Sequence, residues 1–163
     1  MKKKGSAVVL TAAVLATIEL AGLQGLSGSA RADDAQTAID TRRATMKEIG
    51  SEMKAMYAVV DANSGDLADM EKRAQVVQAD AAKIPTLFPA GTSIADMPDK
   101  THALPAIWQN MDAFKAAASN LETQAGKLAD AAKSGNMSAF AAQFETTGKA
   151  CGNCHTDFRA KLN

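Results

Sequence analysis

Residues 136–158 read NMSAFAAQFETTGKACGNCHTDF, and this stretch decides the fold. Met137, Phe140, Phe144, Thr147, Cys151, Cys154 and Phe158 recur at alternating spacings of three and four, the rhythm of one face of an α-helix. Asn136 is a good N-cap residue, so a helix is predicted from Asn136 to the C-terminus. Both cysteines of the chain fall on its seam, within Cys151-Gly152-Asn153-Cys154-His155. A secreted fold stapled by disulfides spreads its cysteines to close long loops. Here both are committed to one helical turn.

The spacing says what such a turn can do. Residues three apart on a helix face the same way, so two thiols can reach two vinyl groups on one edge of a porphyrin. His155, the next residue, can then offer an imidazole nitrogen to iron. Cys-x-x-Cys-His is the pattern of c-type haem attachment. A thioredoxin-like redox pair needs a βαβ context that the chain lacks. A zinc site needs more ligands than His102, the only other histidine, and scattered carboxylates can supply. Against an incidental disulfide stand the leader sequence described below and the all-helical seam. One covalently bound haem c is the expected cofactor, held by Cys151 and Cys154, with His155 as an axial iron ligand.

Three further stripes precede this helix. The first, from about Asp34 to Asn63, carries Ile39, Met46, Ile49, Met53, Met56 and Val60 and is stopped by Asn63-Ser64-Gly65. The second, from Asp66 to Ile84, carries Leu67, Met70, Ala74, Val77, Ala81 and Ile84, and Pro85 ends it. An irregular connection from Pro85 to about Ala103 holds Pro89, Gly91 and Pro98. The third is predicted as one helix from near Leu104, with Pro105 in its first turn, to Ser134-Gly135. Its stripe is Trp108, Met111, Phe114, Ala118, Leu121, Ala125, Leu128 and Ala132. No stretch shows the alternation or β-branched enrichment of strands. Four helices with two short turns and one long crossover predict an all-α, antiparallel four-helix bundle in up-down-up-down order, as a single domain.

The N-terminus reads differently. Met1-Lys2-Lys3-Lys4, an apolar run from Ala7 to about Leu23 and Ser29-Ala30-Arg31-Ala32 form a basic, an apolar and a cleavage region, the pattern of a secretory signal peptide. Cleavage is expected after Ala32, leaving residues 33–163 as the bundle domain in the periplasm. The formal charge of the whole chain is zero, but the leader holds four of its 18 basic residues and one of its 18 acids. The remainder therefore carries 14 basic and 17 acidic residues, a net −3. No basic stripe suited to a phosphate backbone survives, so nucleic acid is not an expected partner. No nucleophile–base pair, phosphate-cradling loop or carboxylate dyad presents itself, so the chain is not expected to be an enzyme.

The residue facing the other side of the iron is harder to read. His102 lies in the irregular connection and reads as a loop or rim residue. Methionine serves as second haem ligand in electron-transfer cytochromes, and Met46, Met53, Met56, Met70 and Met111 all occupy seams. A methionine at helical spacing is by default flexible core filler.

The chain resembles class II c-type cytochromes, specifically the cytochrome c′ family. The resemblance covers essentially all of 33–163 and rests on Gly148-Lys149-Ala150-Cys151-Gly152-Asn153-Cys154-His155, with Phe158-Arg159 after it. It extends to Leu87-Phe88-Pro89-Ala90-Gly91-Thr92, Ala106-Ile107-Trp108 and Arg42-Arg43-Ala44-Thr45-Met46-Lys47. It implies that Met46 lies over the distal face of the haem. High-spin members shield the iron there with a bulky apolar residue, whereas low-spin relatives use a methionine of this helix as sixth ligand. Arg42 resembles the arginine that contacts a haem propionate, a fit for a bidentate guanidinium, which favours the high-spin type. Arg43 flanks it as a further candidate, with a solvated helix face as its alternative. Arg159 resembles the arginine beside the proximal imidazole; its alternative is a cation in the last turn of a helix. Gly148 costs about 1 kcal/mol of helix propensity relative to alanine, which suggests that the haem edge passes close to the backbone there.

The resemblance further implies a homodimer with contacts through the first helix. The expected function is electron transfer, binding of small diatomic gases such as NO and CO at pentacoordinate iron, or both. The alternative is a low-spin electron carrier with Met46 bonded to the iron.

Overall fold

A computed structural model describes residues 24–161, with side chains from residue 32 onward. It contains α1 (Gln24–Ala62), α2 (Leu67–Lys83), a 3-10 turn (Ile84–Leu87), α3 (Ala106–Gln109), α4 (Met111–Lys133) and α5 (Met137–Phe158). Of the expected leader, residues 1–23 lie outside the described residues, and 24–32 form the first turns of α1.

The predicted stripes become the inner faces of four main helices. Ile39, Ile49 and Met56 of α1 are buried, as are Met70, Ala74, Val77 and Ala81 of α2. Phe114, Ala118, Leu121, Ala125, Leu128 and Ala132 of α4 meet Phe140, Thr147 and Phe158 of α5 in the same core. Burying each leucine, isoleucine, methionine or phenylalanine among them stabilises the fold by about 1.5–3 kcal/mol. Short reversals at 63–66 and 134–136 make α1/α2 and α4/α5 antiparallel neighbours. In the first, Asn63 takes φ +47° and Gly65 φ +155°. A Cβ at Gly65 would stand 2.7 Å from Val59 Cγ2, so the turn needs glycine. Asp66 then caps α2, accepting from the Ala68 amide at 2.9 Å.

Small residues decide which helices come closest. Alanines at 74, 81, 118, 125, 129 and 132 are all buried, and a Cβ at Gly126 would reach to 2.8 Å from Gln78 Nε2. Thus α2 and α4 pack tightly along their length, α5 packs on α4, and α1 leans on α2 but meets α5 only sparsely. Arg73 tethers α1 to α2 at the surface, donating to Glu52 and to Asp69, each at 2.8 Å.

Three boundaries differ from expectation, the first being that α1 begins at Gln24, ahead of the expected Asp34. The third helix is not continuous: Asn110 (φ −140°, ψ 63°) separates α3 from α4 and caps α4 by accepting from the Ala113 amide at 3.3 Å. The short α3 is anchored separately, because Trp108 Nε1 donates to the Phe88 carbonyl of the crossover at 3.1 Å. The fourth helix stops at Phe158 instead of continuing to the C-terminus. Arg159 is extended (φ −124°, ψ 131°) and forms an isolated antiparallel bridge with Ala103. Backbone amides of Leu104 and Ala160 complete this clamp, donating to the carbonyls of Phe158 and His102 at 3.0 and 2.8 Å. The crossover is thereby pinned to the end of α5, beside His155.

Candidate functional site

Where α1 and α5 part, the bundle encloses a cavity of about 810 Å³. α5 supplies Cys151, Cys154 and His155 to one wall, and α1 supplies Met46, Ile49, Gly50 and Met53 to another. Ile107, Phe114 and Leu121 close the back, with Ile84 and Phe88 of the crossover region. Helical spacing thus brings both thiols and the imidazole to one space, all three half-buried.

Burial shapes the chemistry of these groups. It raises the Cys154 thiol to about 11, with Cys151 and Asp157 adding to the effect, and it raises the Cys151 thiol too. Both are therefore protonated at neutral pH, unlike the lowered thiols of redox-active cysteines. His155 is shifted the other way: burial first, then the positive charge of Arg159, disfavours the imidazolium. A neutral imidazole is the form that binds a metal.

Arg42 is the least expected feature. Instead of lying at a solvent edge, it is 3 % exposed on the cavity wall. Nη1 donates to Thr92 Oγ1 at 3.0 Å; Nη2 donates to the Thr92 carbonyl at 2.7 Å and to Thr101 Oγ1. Its guanidinium carbon lies 4.7 Å from the centre of the Phe88 ring, a cation–π contact. Burial lowers its pKa to about 10, so it stays cationic at neutral pH. Among the described residues no carboxylate pairs with it, and two of its five N–H groups have no protein acceptor. A buried, unpaired cation of this kind calls for an anionic partner within the cavity.

Other expectations sort themselves by position. Arg43, His102 and Arg159 also line the cavity, all exposed at its mouth, and Lys47 joins them. Met46 and Met53 reach the cavity; Met56, Met70 and Met111 do not. Gly148 lines it as well, and a Cβ there would meet nothing within 4 Å. Sequence reasoning did not find Thr92 and Thr101, whose role depends on how the crossover folds back. Phe114 and Leu121 were legible only as seam residues, since a stripe does not tell a packed core from the wall of a space.

A porphyrin fits the donor set: two thiols at helical spacing, an adjacent neutral imidazole, an apolar lining and one uncompensated buried cation. Fold and site together define a helical-bundle haem protein. The family model described as Cytochrome C′ matches residues 37–159. A cytochrome c-556 of Agrobacterium tumefaciens is 34% identical, covering 76% of this chain and 97% of that protein. A cytochrome c′ of Pararhodospirillum photometricum is 33% identical, covering 74% and 94%. The crystal structure of cytochrome c′ from Thermochromatium tepidum superposes with a TM-score of 0.69 at 31% identity, covering 78% of this chain and 97% of that one. Variants of the Alcaligenes xylosoxidans protein, 25% identical to this chain with TM-scores of 0.69, have been solved with nitric oxide and with carbon monoxide bound. A further cytochrome c′ structure, 30% identical, is described as showing ligand-controlled dimer dissociation. The chain belongs to the cytochrome c′ family, whose members are non-enzymatic haem proteins.

Proposed function

We propose that this chain is an exported, periplasmic monohaem cytochrome of the c′ type that binds small diatomic gases, passes electrons, or does both. One observation carries the reading: Cys151, Cys154 and His155 reach a single apolar cavity across from Met46. Cys151 and Cys154 would hold one haem c through two thioethers, and His155 would ligate its iron. The haem supplies the redox change and the metal site at which a gas is held. The protein's part is selection and placement. Arg42, fixed by Thr92 and Thr101, offers its two remaining N–H groups to a propionate; Arg43 is a second, exposed candidate. Burial, and after it the charge of Arg159, disfavours the protonated form of His155. Met46 stands as a flexible lid whose apolar stem excludes water and polar ligands.

The leader at residues 1–32 supports export, and the relatives solved with NO and CO support the gas-binding role. Assembly as a homodimer through α1 is part of the reading, supported by the relative with ligand-controlled dimer dissociation.

Two measurements on the purified mature protein test it. Intact mass is expected to show one haem added to residues 33–163, and the ferrous absorption spectrum is expected to shift on adding CO. Two alkylatable free thiols and no haem mass overturn the cofactor assignment. Sharp low-spin bands in both redox states, with no response to CO, replace the gas-binding reading with the electron carrier in which Met46 is the sixth ligand.

A further inference from the structure

The face of α1 that looks into the cavity runs Met46, Ile49, Gly50, Met53. These are positions i, i+3, i+4 and i+7, one stripe on a helix surface. Three of the four carry large apolar side chains. Gly50 does not, and nothing in the protein asks for glycine there. Its φ is not positive, unlike those of Gly65, Gly91 and Gly135. A Cβ built on it would meet no heavy atom within 4 Å, so no close helix approach requires it either. Glycine is among the poorest residues for a helix interior. Gly50 is exposed through the open side of the cavity, and the glycine keeps the space there free of a side chain.

Its neighbours show the use. Met46 lies one turn before Gly50 and Met53 one turn after, both half-buried on the same wall. We propose that Gly50 determines ligand access: the open space over it receives the Met46 thioether when a small molecule enters the cavity. Methionine has three rotatable side-chain bonds, so it can swing into this space without moving the backbone or the packed Ile49. With a side chain at position 50, Met46 is held where it stands and the cavity rejects even diatomic ligands. Gly148 is equally open, but it belongs to α5, one turn before Cys151, and not to the helix that carries Met46. The proposal rests on reading the cavity as a haem pocket with Met46 as its lid.

The test uses mature holoprotein and CO as the probe, with Gly50→Ala, Gly50→Val, Met46→Ala and the double variant Met46→Ala/Gly50→Val. CO association to the ferrous protein is expected to slow several-fold in Gly50→Ala and tenfold or more in Gly50→Val, at unchanged haem content. The thermal midpoint of Gly50→Ala should rise by a few degrees, since alanine is the better helix former. Loss of ligand access alongside a gain in stability is a combination that damaged packing does not produce. In the Met46→Ala background the valine should change the rate less than twofold, because the side chain it obstructs is gone. A Gly50→Val protein that takes CO at the wild-type rate overturns the inference alone. So does a double variant still slowed tenfold relative to Met46→Ala. A wild type whose spectrum ignores CO sinks the functional reading, and the inference with it.

Discussion

At the scale of single residues, Arg42 carries the most structural consequence outside the cysteine motif. Its guanidinium ties α1 to two points of the crossover, Thr92 and Thr101, and lies over Phe88. Removing it takes the side-chain donor from the Thr92 carbonyl, while Thr101 Oγ1 keeps the Ala103 amide and the Thr92 hydroxyl keeps its bond to the Pro89 carbonyl. Such an orphan costs about 1–3 kcal/mol. Arg42→Leu should therefore lower the stability of the mature holoprotein by at least that amount in urea unfolding. Arg43→Leu, an exposed neighbour, should stay within about 0.5 kcal/mol. Equal effects of the two substitutions would show that the threonine contacts add nothing to stability. From sequence, Arg42 and Arg43 differ by one place in a helix whose neighbouring apolar stripe is unambiguous. Arg42 stands three places after Ile39 and four before Met46, so the stripe itself turns it inward; its partners were not legible, because they sit fifty and fifty-nine residues away in an irregular segment.

At the scale of elements, the stripes of α1, α2, α4 and α5 were legible because amphipathic periodicity is a property of the chain itself. The break between α3 and α4 was not. Trp108, Met111 and Phe114 keep threefold spacing across Asn110, so the pattern passes through the break without a mark. Asn110 can either continue a helix or cap a new one, and the Trp108 bond to Phe88 decides for the cap. Asn110→Ala should lose the Ala113 cap bond and about 1 kcal/mol of stability, read as a lower urea midpoint at unchanged slope. No change in midpoint would mean that α4 starts equally well without the side-chain cap. The end of α5 follows the same logic: its last turn looks helical in sequence, but the bridge from Ala103 to Arg159 draws the backbone into an extended form.

For the whole molecule, the distribution of charge matters more than its sum. Residues 33–163 are net negative, yet Arg43, Lys47 and Arg159 stand at the cavity mouth, and among the described residues no carboxylate lines it. Exposed charges act over about 10 Å at 0.1 M salt and steer oppositely charged reactants. Oxidation of the ferrous holoprotein by ferricyanide, an anion, should slow several-fold as ionic strength rises through that range. Oxidation by a cationic cobalt complex should not slow. Stopped-flow traces with the same salt dependence for both oxidants would show that the basic mouth does not steer. The same charges suit a redox partner with an acidic docking face.

Local rules were enough for the main helices, the short reversals and the placing of Cys151, Cys154 and His155 on one turn of α5. Those features depend on residues within a turn or two of one another, and helical spacing alone brings them together. Tertiary structure alone decided where α1 and α5 separate, that Met53 joins Met46 at the cavity, and that Arg42 is buried without a carboxylate. It also decided that the space over Gly50 is open. A buried face looks the same in sequence whether it meets another side chain or a cavity. The difference lies in what stands across from it, and that is set by helices and a crossover distant along the chain.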